Sequence, residues 1–91
     1  MKFIWDEKKR RANILKHGFD FVDAKEVFEG ATFTIEDDRF DYGEERLITI
    51  GLLRGTVVVI AHTEKRNENR TISMRKATKH EQKINFEGLS D

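Results

Sequence analysis

A chain of 91 residues with 17 basic side chains, 17 acidic ones and no cysteine excludes a disulfide framework, a thiolate metal site and attachment to nucleic acid by bulk positive charge alone. Its length allows one modest core, because a chain of this size buries only about two-thirds of its unfolded surface, so residues 1–91 are expected to form a single domain. Met1-Lys2-Phe3-Ile4-Trp5 runs straight into Asp6-Glu7-Lys8-Lys9-Arg10-Arg11, too short an apolar run for a signal peptide or a membrane span, and a cytoplasmic protein is expected.

The charge is balanced but uneven: net +4 over residues 1–16, −6 over 17–55 and +2 over 56–91. Two basic ends around an acidic middle suit a protein that touches phosphates with one surface and a basic partner with another.

In chain order, Phe3, Ile4 and Trp5 form a short extended segment, and Asp6 is placed to cap a helix running to about Lys16. Trp5, Ala12 and Leu15 are expected on its inner face, and His17-Gly18 to close it, with glycine supplying the left-handed residue. A second helix is expected from about Asp20, with Phe21, Ala24, Val27 and Phe28 at helical spacing and Gly30 as its stop. From residue 31 the period becomes extended: Ala31 to Ile35 reads as a strand, Glu36 to Glu44 as an acidic turn, and Arg46 to Leu53 as a second strand. Arg54-Gly55 is a hairpin turn, and Thr56 to His62 is a strand whose Val57-Val58-Val59-Ile60-Ala61 run predicts cover on both faces. Glu64 to Asn69 reads as a loop and Arg70 to Met74 as the last strand, with Ile72 and Met74 in the core and Thr71, Ser73 and Arg75 on the opposite face. Ala77 to Phe86 closes the chain as an amphipathic helix with Ile84 inward. The expected class is α+β: two N-terminal helices, an antiparallel meander and a C-terminal helix.

His17, His62 and His80 fall at no spacing that puts two ligands on one helical face, and the glycines are scattered singly at turns, so neither a metal site, a bound cofactor nor a phosphate-cradling loop is expected. A Gly-x-Ser-x-Gly elbow is absent. Metal-free RNA cleavage needs no compact motif. The ribose 2′-hydroxyl attacks its own phosphate, so the protein must take that proton, protonate the leaving oxygen and neutralise charge on phosphorus. Lys16 and His17 at the first helix end, Arg46 opening the second strand, His62 ending the third and Arg75 after the fourth are candidate catalytic groups; Glu45, Arg66, Arg70 and Ser73 are candidate RNA or phosphate contacts. Each has an ordinary structural role open to it: Arg46 could pair with Glu36 or Asp37, His17 could cap a helix, and His62 could be a satisfied half-buried histidine.

Taken in order, Trp5-Asp6, Asn13-x-x-Lys16-His17-Gly18, Phe21-x-x-Ala24, Val27-Phe28, Glu45-Arg46, Ile50-Gly51 and Ile72-Ser73-x-Arg75-x-Ala77-x-x-x-Glu81 resemble the BrnT toxin family over roughly residues 3 to 85. The resemblance implies a RelE-like α+β fold and a ribonuclease toxin of a bacterial type II toxin-antitoxin pair, and the chemistry of the candidate residues adds the expectation that it cleaves RNA without metal or cofactor. It implies a hetero-oligomer with a BrnA-like antitoxin of ribbon-helix-helix type, DNA contacted only through that antitoxin, and repression of the pair's own operon. Motif positions carry a site role to Lys16, His17, Arg46, Ser73 and Arg75, with Arg46 and Arg75 clamping the phosphate; His62 and Arg66 stand on chemistry alone. Family members often carry a tyrosine a turn after the glutamate, where this chain has Asn85-Phe86. The alternative is a non-catalytic corepressor subunit whose Glu36, Asp37, Asp38, Asp41, Glu44 and Glu45 dock a basic, DNA-binding partner.

Overall fold

A computed structural model describes the backbone of residues 1–90 and the side chains of residues 1–84. Strand β1 (Lys2–Trp5) leads into helix α1 (Glu7–His17); a 3-10 turn (Phe21–Asp23) runs into the short helix α2 (Ala24–Glu29). Strands β2 (Thr32–Asp37), β3 (Arg46–Leu53), β4 (Thr56–Lys65) and β5 (Glu68–Lys76) follow, and α3 (Lys79–Ser90) ends the described chain. The sheet order is β1-β5-β4-β3-β2. The α+β class is as expected, but the sheet is mixed rather than an antiparallel meander, because β1 pairs parallel with β5, Lys2 opposite Glu68 and Trp5 opposite Thr71. Among the described residues no helix is long and apolar enough to cross a membrane.

Local chemistry sets the helix ends. Asp6 accepts from the amides of Lys8 and Lys9 at 2.9 and 3.1 Å, and Gly18, at φ 77°, sends its N–H to the Ile14 carbonyl at 2.8 Å. The inner face of α1 differs from the expected one. Leu15 is 90% exposed and Ala12 is exposed, whereas Asn13 is buried. Pairing with β1 stops at Thr71, so the edge of β5 beyond it lacks a neighbouring strand. Asn13 supplies the missing partner: its Nδ2 donates to the Met74 carbonyl at 2.8 Å and its Oδ1 accepts from the Met74 amide at 3.1 Å. A carboxamide has the same donor and acceptor as a peptide group, which is why one polar residue anchors a helix with so little apolar face.

The sheet is covered on both sides, as the apolar run of β4 predicts. Phe21, Ala24 and Val27 pack with Leu53, Val58, Ile60 and Met74 on one face; Ile50, Val59 and Ala77 pack with Ile48, Val57 and Ile84 on the other. Helix α2 approaches so closely that a Cβ at Gly51 would lie 2.7 Å from Val27 Cγ1, which accounts for the glycine of the Ile50-Gly51 pair.

The expected loop from Glu64 to Asn69 contracts to two residues. Arg66 and Asn67 take φ 52° and 64°, and β4 and β5 stay paired out to Lys65 opposite Glu68. A β-bulge breaks the register: Ala61 faces Ser73, but His62 faces Thr71, leaving Ile72 as the extra residue. Alternation along β5 therefore reverses at residue 72. Thr71 and Met74 are both buried on the α2 face, Ile72 and Ser73 are half-buried, and Arg70 shares its face with Arg75. The expected placement of Thr71 beside Ser73 and Arg75 is overturned by this single inserted residue.

Candidate phosphate-binding site

The face of the sheet opposite α2 carries arginines from three segments. In register, Arg46 lies opposite Asp37, Arg70 opposite Thr63 and Arg75 opposite Val59. Strand parity puts all three guanidiniums on that face, and Arg39 reaches it from the β2–β3 loop, lining a cleft of about 250 Å³ with Arg75, Asp37, Ile48 and Glu81.

Carboxylates hydrogen-bond Arg75, Arg39 and Arg70, and one lies near Arg46. Arg75 donates from both terminal nitrogens to both oxygens of Glu81, at 2.7 and 2.8 Å. The Arg75 hydrogen bonds hold the Glu81 carboxyl at a pKa of about 2, with the Thr78 amide adding to the effect. Thr78 and Glu81 form a reciprocal cap, Thr78 N–H to Glu81 Oε1 at 2.9 Å and Glu81 N–H to Thr78 Oγ1 at 3.2 Å, so one carboxylate starts α3 and fixes Arg75. Arg39 binds Asp37 through Nε at 2.8 Å and Nη2 at 3.0 Å, and these bonds lower the Asp37 pKa to about 2. One oxygen of Glu44 accepts from Arg70 Nη2 and lies 4.0 Å from Arg46 Nε. That Arg46 Nε is buried with no hydrogen-bond partner, while the guanidinium stacks 4.0 Å above the Tyr42 ring.

The pairing open to Arg46 with Glu36 or Asp37 is not the one that forms, since Glu44 is the carboxylate beside it. Asp37 is opposite it in register, but its carboxylate is taken by Arg39 and by the Tyr42 hydroxyl at 3.0 Å. Of the acidic middle, Asp37 is buried and bound by Arg39 and Glu44 is bound by Arg70, whereas Glu36, Asp38, Asp41 and Glu45 are exposed.

Lys16 and His17 meet Ser73 in a separate shallow cleft of about 260 Å³, lined also by Lys9, Asn13 and Ile72. Ser73 sits between Arg70 and Arg75 along β5, so this cleft adjoins the arginine face at the open strand edge. Glu45 is exposed at the start of β3, and Glu44 beside it makes the arginine contact. Arg66 occupies the β4–β5 turn, beyond Arg70.

His62 lies apart from these groups. It is fully buried on the α2 face, the side of the sheet away from the arginines. Its Nε2 bonds Thr49 Oγ1 at 2.7 Å, Thr49 bonds Thr34 at 2.7 Å, and its ring meets Phe28 edge-on at 4.9 Å. Burial drives its pKa down to about 4, so it is a neutral core residue.

Sequence reasoning gives Arg39 and Tyr42 no role, and takes Asn13 only as a motif position and Glu44 only as one of several acids facing a partner. For Glu81 a signal existed, since Thr78-x-x-Glu81 reads as a capping box. The Asn85-Phe86 side chains lie outside the described residues, as does any role for a tyrosine there. Among the described residues no group of three or more His, Asp or Glu side chains is arranged to hold a metal ion.

A mixed sheet with helices on both faces and arginines paired to carboxylates on one of them defines a small α+β protein with a charged sheet face. Residues 5–81 match the model of the ribonuclease toxin, BrnT, of type II toxin-antitoxin systems. The chain belongs to that family. A search of curated proteins found no match.

Proposed function

We propose that the chain is a metal-independent endoribonuclease toxin, a RelE-like domain over residues 1–91 that cleaves RNA in the cytoplasm and inhibits translation. The observation that supports this reading is the pair Arg46 and Arg70 meeting at a single Glu44 oxygen, with Arg75 farther along the same sheet face. A carboxylate oxygen in that position resembles a phosphate oxygen in charge and hydrogen-bonding demand, and planar guanidiniums match the equatorial oxygens of a phosphate under attack.

In the proposed reaction the 2′-oxygen forms a bond to phosphorus as its proton leaves to a base. The bond from phosphorus to the 5′-oxygen then breaks, and an acid supplies the proton to that oxygen. Lys16 and His17, in the cleft with Ser73, are the proposed proton carriers. The arginines neutralise the charge gathering on phosphorus, the work a metal ion does elsewhere. The partner proposed for the toxin is a BrnA-like ribbon-helix-helix antitoxin, which neutralises it in a hetero-oligomer, brings it to DNA and represses the shared operon with it.

The test is expression alone and with the antitoxin, followed by cleavage of RNA by the purified protein in excess EDTA. Growth arrest relieved by the antitoxin, with cleavage that survives chelation, is expected. Cleavage that disappears with EDTA and returns with magnesium contradicts the metal-free mechanism; harmless expression without RNA cleavage favours the corepressor alternative.

A further inference from the structure

The loop between β2 and β3 holds an aromatic ring that the phosphate chemistry does not use. Phe40 is 67% exposed, although its loop is well tied down. Asp37 accepts from the Arg39 amide and guanidinium and from the Tyr42 hydroxyl on either side of Phe40, and the Gly43 amide bonds Asp41 at 3.0 Å. Tyr42 in turn is fixed, with Arg46 4.0 Å above its ring. Phe40 meets Tyr42 at 5.8 Å between centroids and an interplanar angle of 72°, an edge contact that leaves the Phe40 ring largely open to solvent.

An exposed ring beside guanidiniums is the pairing used for single-stranded nucleic acid, where bases stack on aromatic faces and cations track the backbone. Arg39 precedes Phe40 directly, and Arg46 is joined to it through Tyr42. We infer that Phe40 is a stacking platform for an unpaired base of the RNA, adjoining the phosphate held at Arg46 and Arg70. The inference rests on the ribonuclease reading and adds a base-contacting residue to it. A protein partner would be drawn to the same ring by burial alone, but it would not need the flanking cations, so the base is the better occupant.

The test uses a short 2′-O-methyl oligoribonucleotide, which cannot be cleaved because the attacking oxygen is blocked, and the same backbone with abasic positions. Wild-type protein is expected to bind the base-bearing strand about tenfold more tightly than the abasic one. Phe40→Ala, checked as folded by circular dichroism, is expected to erase that preference, and Phe40→Trp to keep it. A Phe40→Ala protein with the full preference overturns the inference while leaving the ribonuclease reading intact. Wild-type protein that binds neither strand and cleaves no RNA removes both. Unchanged RNA binding by Phe40→Ala together with lost neutralisation by the antitoxin assigns the ring to a protein interface, and overturns the inference as well.

Discussion

Arg75 and Glu81 form a two-point ion pair, with both terminal nitrogens on both oxygens at 2.7 and 2.8 Å, and it joins the last strand to the last helix. The folded-state pKa of Glu81 is about 2, below its ordinary 4.5. A depressed carboxyl pKa gives stability that is full above the unfolded value and lost as pH falls from 4.5 towards 2. Screening at the half-exposed Arg75 reduces the effect to about 1 kcal/mol. The stability difference between wild type and Glu81→Gln in urea unfolding is expected to shrink between pH 7 and pH 3; a difference that stays constant contradicts the pairing.

His62 predicts acid lability in a higher window. Its pKa falls from 6.5 to about 4 through burial, so between those values the unfolded chain binds the proton that the folded chain refuses. Stability is present above pH 6.5 and declines as pH drops towards 4, by about 2 kcal/mol at pH 5. Substituting His62→Asn should flatten the pH dependence between 7 and 5 at some cost in absolute stability. A wild-type protein equally stable at both pH values contradicts the buried neutral imidazole.

Asn13→Ala removes both hydrogen bonds to the Met74 backbone at a buried strand edge. Leaving those groups without partners is expected to cost about 2–4 kcal/mol, read as a lower urea midpoint with an unchanged slope. Leu15→Ser, on the exposed side of the same helix, should change stability by less than about 0.5 kcal/mol.

The comparison between those two positions shows where sequence reading succeeds and stops. Caps at Asp6 and Gly18, the Arg54-Gly55 turn and the two-sided β4 run are local signals, set by side chain and backbone within a few residues. The parallel pairing of β1 with β5 joins residues more than sixty apart, and nothing in Lys2–Trp5 specifies that partner. Asn13 looks like one more polar residue on a helix face, because the open strand edge that it fills exists only after β1 has docked. The bulge at Ile72 likewise has no glycine or proline to mark it, yet it moves Arg70 onto the arginine face and Thr71 off it. Arg46 and Arg75 stand out by charge and motif position, whereas Arg39, Tyr42 and Glu44 sit inside a stretch that reads as an acidic turn or a face for a basic partner.

Glu44 competes with the proposed phosphate for Arg46 and Arg70. Glu44→Gln removes that charge at an exposed position and is expected to tighten binding of an uncleavable oligoribonucleotide roughly threefold to tenfold at low salt. Unchanged or weaker binding contradicts the idea that its carboxylate stands where a phosphate goes.

The central claim, that the arginine face holds the scissile phosphate, is tested most directly by single-turnover cleavage of a defined single-stranded RNA in excess EDTA. Arg46→Ala should cleave about 100-fold or more slowly than wild type. Arg54→Ala, which removes a guanidinium paired with Asp23 and Glu26 on the helix side, should stay within about twofold. A folded Arg46→Ala protein that cleaves at the wild-type rate contradicts the account.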